Sequence, residues 1–188
     1  MRTLRSRRII ALAMAAVASA AVTLPVGAAN TVTQTVNAGT RSASVADVTL
    51  GAVTYSHSAQ TSAGTLVLTA DDSTGSGAGW NVTVQSSAFV YSGSFSGTNI
   101  PAASFTLTSA SAATSTAGEA VDVVGGPSVP ATTVPPVALD TARKTIQALP
   151  TFGEGTYTQN LGVSLAIPAQ ARVGTYTGTL TVTISAGP

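Results

Sequence analysis

Few side chains of this chain are of the types that carry out acid–base or nucleophilic chemistry. His57 is the single histidine, and cysteine is absent. A Ser-His-Asp triad would need a positioned serine, but no Gly-x-Ser-x-Gly turn is present, and serine is so frequent that one near His57 means little. We therefore expect His57, in the polar run Tyr55-Ser56-His57-Ser58, to lie exposed in a loop, and we expect no catalytic residue.

The acidic residues are few and spread along the chain: Asp47, Asp71, Asp72, Glu119, Asp122, Asp140 and Glu154. Hydrolysis of a glycan would need two of them to converge on one cleft. Asp71-Asp72 could supply oxygen ligands to calcium, but the spacing is not that of an EF-hand loop, and a turn explains an Asp/Ser/Gly run as well. We favour the turn and expect neither a metal ion nor a cofactor.

The only tryptophan, Trp80, follows a glycine-rich run and opens the alternating segment Trp80-Asn81-Val82-Thr83-Val84. Because successive side chains of a strand point to opposite faces, Trp80, Val82 and Val84 share one face. A buried ring of this size adds about 150–250 Å² of contact to a core. The pattern favours a core tryptophan, and an exposed ring that stacks on a sugar is the alternative.

Composition predicts the elements that must position these residues. Charged residues make up only 8% of the chain, whereas Thr, Ser, Ala, Val and Gly are abundant. Such a mixture is poor in helix formers and rich in β-branched and turn residues. We predict an all-β antiparallel sandwich with Ig-like, Greek-key or jelly-roll connections and about eight or nine strands.

Alternation of apolar and polar residues locates the strands. It predicts strands at residues 31–36, 45–55, 65–70, 80–84 and 104–108. The clearest alternation lies near the C-terminus, where residues 161–167 and 176–184 carry Leu, Val or Ile on one face, and the second segment carries threonine on the other. We predict that these two segments are the arms of one β-hairpin.

Residues 110–136 break the pattern with Gly125-Gly126-Pro127 and Val134-Pro135-Pro136. Prolines at this density cannot sit in a central sheet, so we predict a Pro/Gly/Ala-rich surface insertion with a short strand at 120–124. A linker between two domains is the alternative. Residues 140–149 fit a helix capped by Asp140 or a strand at 145–149, and we favour the strand.

The N-terminus has the pattern of an export signal. Four arginines, at positions 2, 5, 7 and 8, precede an uncharged run of 16 residues, 9–24, and the small residues 26–29. This predicts a signal peptide, residues 1–29, cleaved after Ala28 or Ala29. A retained membrane anchor is the alternative, although the run is shorter than the ~20 residues a span needs and Pro25 follows it.

Cleavage would remove all four arginines and leave four basic residues against seven acidic ones, a net charge of −3. No basic surface would then attract nucleic acid or anionic lipid. We expect no nucleic-acid partner and no membrane span after cleavage. Residues 30–188 would fold as a single domain.

Two strings together resemble a known family. The first is Gly77-Ala78-Gly79-Trp80-Asn81-Val82-Thr83-Val84, and the second is Ile167-Pro168-Ala169 followed by Gly174-Thr175-Tyr176-Thr177-Gly178-Thr179-Leu180-Thr181-Val182-Thr183-Ile184. They resemble the WxL family of bacterial cell-surface domains, in which a glycine-rich turn leads into a Trp-x-Leu strand and a Gly-x-Tyr strand near the C-terminus carries a second Trp-x-Leu. Here Val82 replaces the first leucine, and Val182-Thr183-Ile184 replaces the second motif without a tryptophan.

The resemblance implies a secreted, non-catalytic domain that associates non-covalently with the bacterial cell wall, through peptidoglycan or a surface partner. The binding residues it implies are Trp80, Asn81, Val82, Tyr176, Val182 and Ile184. No sorting motif follows Ile184, so we expect no covalent attachment to the wall. The alternative is a structural surface or coat subunit that self-assembles into homo-oligomers through threonine-rich edge strands.

Overall fold

The computed structural model describes residues 32–188. The predicted signal peptide and Thr31 lie outside the described residues. Val36–Pro188 form one compact unit. The four described residues before it, 32–35, have no secondary structure.

Strands and turns build this unit, as expected of a chain rich in β-branched residues. The one helical piece between residues 32 and 188 is a single 3-10 turn, Ala102–Ser104. No helix in that range is long and apolar enough to cross a membrane. The eleven strands are β1 (Arg41–Val45), β2 (Gln60–Asp72), β3 (Trp80–Ser86), β4 (Val90–Ser92), β5 (Phe105–Ala110), β6 (Thr114–Gly118), β7 (Val137–Ala138), β8 (Arg143–Ala148), β9 (Gly155–Ile167), β10 (Thr175–Thr177) and β11 (Leu180–Ala186).

The largest sheet is organised around β9. This strand of 13 residues pairs antiparallel with the whole of β2, from Gln60 opposite Ile167 to Asp72 opposite Gly155. Its other edge pairs with β5 and then β6. β1 extends the sheet beyond β2, and β7 extends it beyond β5. With a neighbour on each side, β9 has partners for its backbone groups and forms the centre of the sheet.

Two smaller antiparallel sheets complete the sandwich. β3 lies between β11 and β8, and β4 pairs with β10. The buried side chains of β2, β3, β5, β8 and β9 form one apolar cluster between the layers. Each fully buried Leu or Val in it contributes about 1.5–3 kcal/mol relative to an exposed side chain. The predicted all-β antiparallel sandwich is confirmed, with eleven strands instead of eight or nine.

The predicted C-terminal hairpin is wrong in its pairing. Both arms are strands, but residues 161–167 belong to β9, which pairs with β2, β5 and β6, whereas β11 pairs with β3. The intervening residues 168–174 carry the chain from one sheet to another. Alternation indicates which face of a strand is buried, but it contains no information about the neighbouring strand.

Four predicted strands are confirmed by overlap, since residues 65–70, 80–84, 104–108 and 145–149 fall on β2, β3, β5 and β8. The strand predicted at 31–36 is wrong over its described part, because residues 32–36 form no strand and Val32 and Val36 are 96% and 90% exposed. The strand predicted at 45–55 is also wrong. β1 ends at Val45, and residues 46–59 have no regular structure.

The proline-rich segment contains a strand, although not the predicted one. β6 lies at Thr114–Gly118 and pairs with β9, whereas residues 120–124 form no strand. Val123 and Val124 are exposed there, at 99% and 77%. Asp122 and Gly126 form an isolated bridge that closes a tight turn.

Candidate functional site

The two strings that carry the resemblance fold as neighbouring strands. β3 begins at Trp80, and β11 runs antiparallel beside it, with Ala186 opposite Trp80 and Ile184 opposite Val82. The structure therefore brings five of the six predicted binding residues onto one pair of strands: Trp80, Asn81, Val82, Val182 and Ile184.

Trp80 lies in the core. Its side chain is 0% exposed, and its ring centroid is 5.9 Å from that of Tyr157. The indole Nε1 donates a hydrogen bond of 2.8 Å to the carbonyl oxygen of Gly153. A buried indole needs such an acceptor for its N–H. The alternative of an exposed sugar-stacking platform at Trp80 is wrong, and the interpretation as a core residue is confirmed.

The glycine-rich run before Trp80 forms the turn from which β3 starts. Gly75, Gly77 and Gly79 have φ values of 61°, 59° and 68°, which glycine adopts without a Cβ penalty. At Gly79 a Cβ would come within 2.6 Å of the carbonyl oxygen of Ala148. Glycine is therefore needed at this position for β3 to start close to the end of β8.

The carboxylates beside this turn accept hydrogen bonds from the protein itself. Asp72 accepts from Arg41 Nε at 3.0 Å and from the hydroxyl of Thr74 at 2.6 Å. Burial opposes ionisation of Asp72, but these hydrogen bonds and the charge of Arg41 outweigh it and hold the pKa of Asp72 below its usual 3.8. Asp71 accepts from the hydroxyl of Thr156 at 2.7 Å. Asp71 and Asp72 are the last two residues of β2, so the turn predicted at Asp71-Asp72 is wrong in position, and the loop begins at Ser73.

Two glutamates connect the turn at Gly153-Glu154, which precedes β9, to the glycine-rich turn before β3. Glu119 Oε2 accepts from the backbone N–H groups of Gly153 at 2.7 Å and Glu154 at 3.1 Å. Glu154 in turn accepts from the N–H of Gly77 at 2.8 Å. Burial is the main cause that raises the pKa of Tyr157 to about 12, and the negative charges of Glu119, Asp72 and Glu154 raise it further. Over residues 32–188 no three histidine or carboxylate side chains converge as a metal site.

The remaining predicted residues of the motif strands differ in exposure. Val82 is 0% exposed, whereas Val182 and Ile184 on β11 are only half-buried. Asn81, on the opposite face of β3, donates from Nδ2 to the carbonyl oxygen of Gly187 at 2.7 Å. The contacts of these side chains are internal, and a role in binding stays a prediction for them.

The sixth predicted residue, Tyr176, lies on a different sheet. It stands opposite Tyr91 in the β10–β4 pair, with the two ring centroids 5.3 Å apart. Both hydroxyls are fixed by backbone, Tyr176 to the carbonyl of Arg172 at 3.0 Å and Tyr91 to that of Val173 at 2.9 Å. The pair thus braces the segment that precedes β10.

A cleft of about 1170 Å³ opens between residues 45–56 and residues 171–180. Its floor is apolar and includes the buried side chains of Phe89, Ile100 and Phe105. Tyr176 and Val182, two of the six predicted binding residues, line it, and so does Tyr55, which is 45% exposed. The cleft is thus a concave site of the kind that binds ligands, with apolar surface inside and aromatic rings at its wall.

The lining of the cleft is nearly uncharged. Asp47 and Arg172 are the charged residues among those that line it, and they carry opposite signs. Serine and threonine hydroxyls are frequent along both walls, at positions 49, 54, 56, 175, 177 and 179. His57 is exposed beside the wall, its ring edge-on to that of Tyr55 with centroids 5.4 Å apart. Its predicted exposure is confirmed.

The sequence does not indicate this cleft, because the apolar residues at 45–55 predict a strand. Alternation is kept from Val48 to Leu50 but shifts by one position before Val53, so the segment has no continuous apolar face. The segment is tied to β2 through the carbonyl of Gly51, which accepts from the hydroxyl of Ser62 at 2.7 Å. The interrupted alternation was the signal that could have indicated a wall instead of a strand.

Comparison with known families gives one match. The model described as "WxL domain surface cell wall-binding" matches residues 18–188, a range that starts inside the predicted signal peptide and includes all eleven strands. No curated protein and no solved structure matches the chain. The chain belongs to the WxL family of cell-wall-binding surface domains, and its role is at the cell surface in association with the wall.

Proposed function

We propose that the domain is secreted, binds peptidoglycan non-covalently without catalysing a reaction, and holds the polymer in the cleft between residues 45–56 and 171–180. The observation that carries the proposal is the cleft itself, with its apolar floor, aromatic walls and hydroxyl-rich rim. The family match supports wall association. The cleft supplies a surface on which it can occur.

The chemistry of the cleft suits a neutral glycan. The faces of amino-sugar rings and their acetyl methyl groups are apolar and can pack on Tyr55 or over the floor. Sugar hydroxyls and amides can exchange hydrogen bonds with the threonine hydroxyls and the open backbone of residues 46–56. Because Asp47 and Arg172 offset each other, the lining offers little to a polyanion. Binding should therefore depend weakly on salt.

Co-sedimentation with purified peptidoglycan, stripped of anionic polymers, tests the proposal. We expect the chain from residue 30 onward to pellet with the polymer at both low and moderate salt. Tyr55→Ala removes an exposed cleft aromatic and should weaken binding about tenfold, which corresponds to about 1.4 kcal/mol. Phe95→Ala is the matched control, because Phe95 is also an exposed aromatic, at 62%, but does not line the cleft.

Retention of the wild-type chain in the supernatant at both salt concentrations would show that it does not bind peptidoglycan. If Tyr55→Ala and Phe95→Ala weaken binding equally, or if neither weakens it, the cleft is not the site. Release of soluble sugar or peptide fragments from the polymer during incubation would contradict the non-catalytic role.

A further inference from the structure

The outer edge of β11 carries backbone groups without a partner in the described part of the chain. β11 pairs with β3 alone. The N–H of Gly187 bonds to the carbonyl of Gly79 at 3.0 Å, which continues the β3–β11 register by one residue. Since partners in an antiparallel pair alternate between bonded and non-bonded positions, the odd-numbered residues of β11 face β3. The N–H and C=O groups that face away are those of the even-numbered positions: Leu180, Val182, Ile184 and Ala186.

This edge lacks the features that usually keep an edge strand from pairing. The sequence of β11 is Leu-Thr-Val-Thr-Ile-Ser-Ala, with neither a charge nor a proline. Leu180, Val182 and Ile184 are half-buried, whereas Val82 and Val84 on the adjacent strand are 0% and 1% exposed. β1 of the other sheet packs near β11 but forms no backbone ladder with it. A further strand could therefore pair with the free N–H and C=O groups of β11 and cover its half-buried apolar side chains.

We propose that β11 is a homodimer interface, in which two copies of the chain pair antiparallel through this edge about a twofold axis at Val182. In that register Val182 lies opposite its own counterpart, and Leu180 lies opposite Ile184 of the second copy. All three are positions whose backbone groups point outward. The pairing joins apolar to apolar on one face and Thr181 to Thr183 on the other, with no like charges brought together.

A second copy can occupy this edge because β11 can pair with itself. With the axis at Val182, Leu180 meets Ile184 of the copy and no charge or proline interrupts the pairing, and an isologous contact uses the same patch on both chains. Ala186 lies outside this matched set. A dimer would join two three-stranded sheets into one of six strands. It would also place two clefts on one particle, which raises retention on a repetitive polymer through effective concentration. Only this last consequence rests on the proposed function.

Cysteine scanning tests the register, because the chain contains no cysteine of its own. Under mild oxidation Val182→Cys should give a covalent dimer, since two residues on the axis have Cα atoms about 5.5 Å apart, within reach of a disulfide. Thr181→Cys is the matched control on the neighbouring position. Its two copies would be offset by two residues along the strands, with Cα atoms roughly 8 Å apart, beyond disulfide reach.

A proline variant tests the hydrogen bonds of the edge. Val182→Pro removes an N–H that points away from β3, so it should leave the β3–β11 ladder in place while blocking a second strand. Sedimentation velocity should show the wild type as a dimer with a dissociation constant between about 1 µM and 1 mM, and Val182→Pro as a monomer. Thr183→Lys, on the outer face of the same strand, should remain dimeric. Blue-shifted Trp80 emission reports that each variant is folded.

The proposal is overturned if the wild type is monomeric at about 1 mM, if Thr181→Cys cross-links as well as Val182→Cys, or if a folded Val182→Pro is still dimeric. These readouts are separate from sedimentation with peptidoglycan. A chain that dimerises but stays in the supernatant contradicts the proposed function alone. One that binds the polymer as a monomer contradicts the dimer alone.

Discussion

Replacing Trp80 by phenylalanine distinguishes a core role of the motif tryptophan from a binding role. Phenylalanine keeps an aromatic ring on the buried face of β3 but lacks the indole N–H. The Gly153 carbonyl, now bonded at 2.8 Å, would lose its donor in a place without water access. Part of the space against Tyr157 would also be left empty. We expect Trp80→Phe to unfold more easily and to bind the wall normally while folded.

The magnitude follows from these two losses. Phenylalanine has two fewer ring carbons, which at about 0.8 kcal/mol per buried carbon removes about 1.5 kcal/mol. An unpaired buried carbonyl costs about 1–3 kcal/mol. The free energy of unfolding should therefore fall by about 3–4 kcal/mol, a large part of the 5–15 kcal/mol typical of a domain. At about 2–4 °C per kcal/mol for a unit of this size, Tm should fall by roughly 10 °C.

Urea unfolding followed by circular dichroism measures this change, since the variant has no tryptophan fluorescence. Phe95→Leu is the control, because Phe95 is 62% exposed and its replacement should change the free energy by no more than about 0.5 kcal/mol. The variant is then tested with peptidoglycan well below its Tm. Loss of binding combined with a decrease in stability below about 1 kcal/mol would refute the reasoning, because the ring would then act on the ligand.

Asp72 and Tyr157 predict how stability changes at the acidic and the alkaline end of the pH range, respectively. The lowered pKa of Asp72 means that its stabilising effect is present above 3.8 and lost as the pH falls through the folded-state value. Asp72→Asn should therefore lower Tm at pH 7 and reduce the Tm difference between pH 7 and pH 3. The raised pKa of Tyr157, about 12 against 10.0, means that stability is lost as the pH rises from 10 toward 12. Tyr157→Phe should be less sensitive over this alkaline range in a thermal-shift series, and equal sensitivity would show that another group controls it.

The sequence was sufficient to predict which faces of the strands are buried, because burial follows the period of two directly. Leu66, Leu68 and Val84 are inward as predicted, at 1% exposure each. Strand partners could not be predicted in the same way. The segments 161–167 and 176–184 follow each other in the chain, and both alternate. Even so, β9 pairs with β2 on one edge and with β5 and β6 on the other, and β11 pairs with β3. Pairing depends on which surfaces remain uncovered after the whole chain has folded.

The candidate site was only partly predictable for a related reason. A cleft is a property of segments that are far apart in sequence, here residues 45–56 and 171–180, and no local pattern brings them together. Tyr176 and Val182 were identified through the family motif, and they line the cleft. The sequence does not single out Tyr55, because its segment predicts a strand with buried apolar residues.

Val182 belongs to the segment that replaces the second Trp-x-Leu motif. Its half-buried side chain has a packing role, as the buried Trp80 has in the first motif. Val182 lies opposite Val84 on the paired strands and lines the cleft. A tryptophan at this position would fill part of that space, whereas valine leaves it open. Trp80 belongs to the core cluster, and the residues to test for wall contact are those of the cleft.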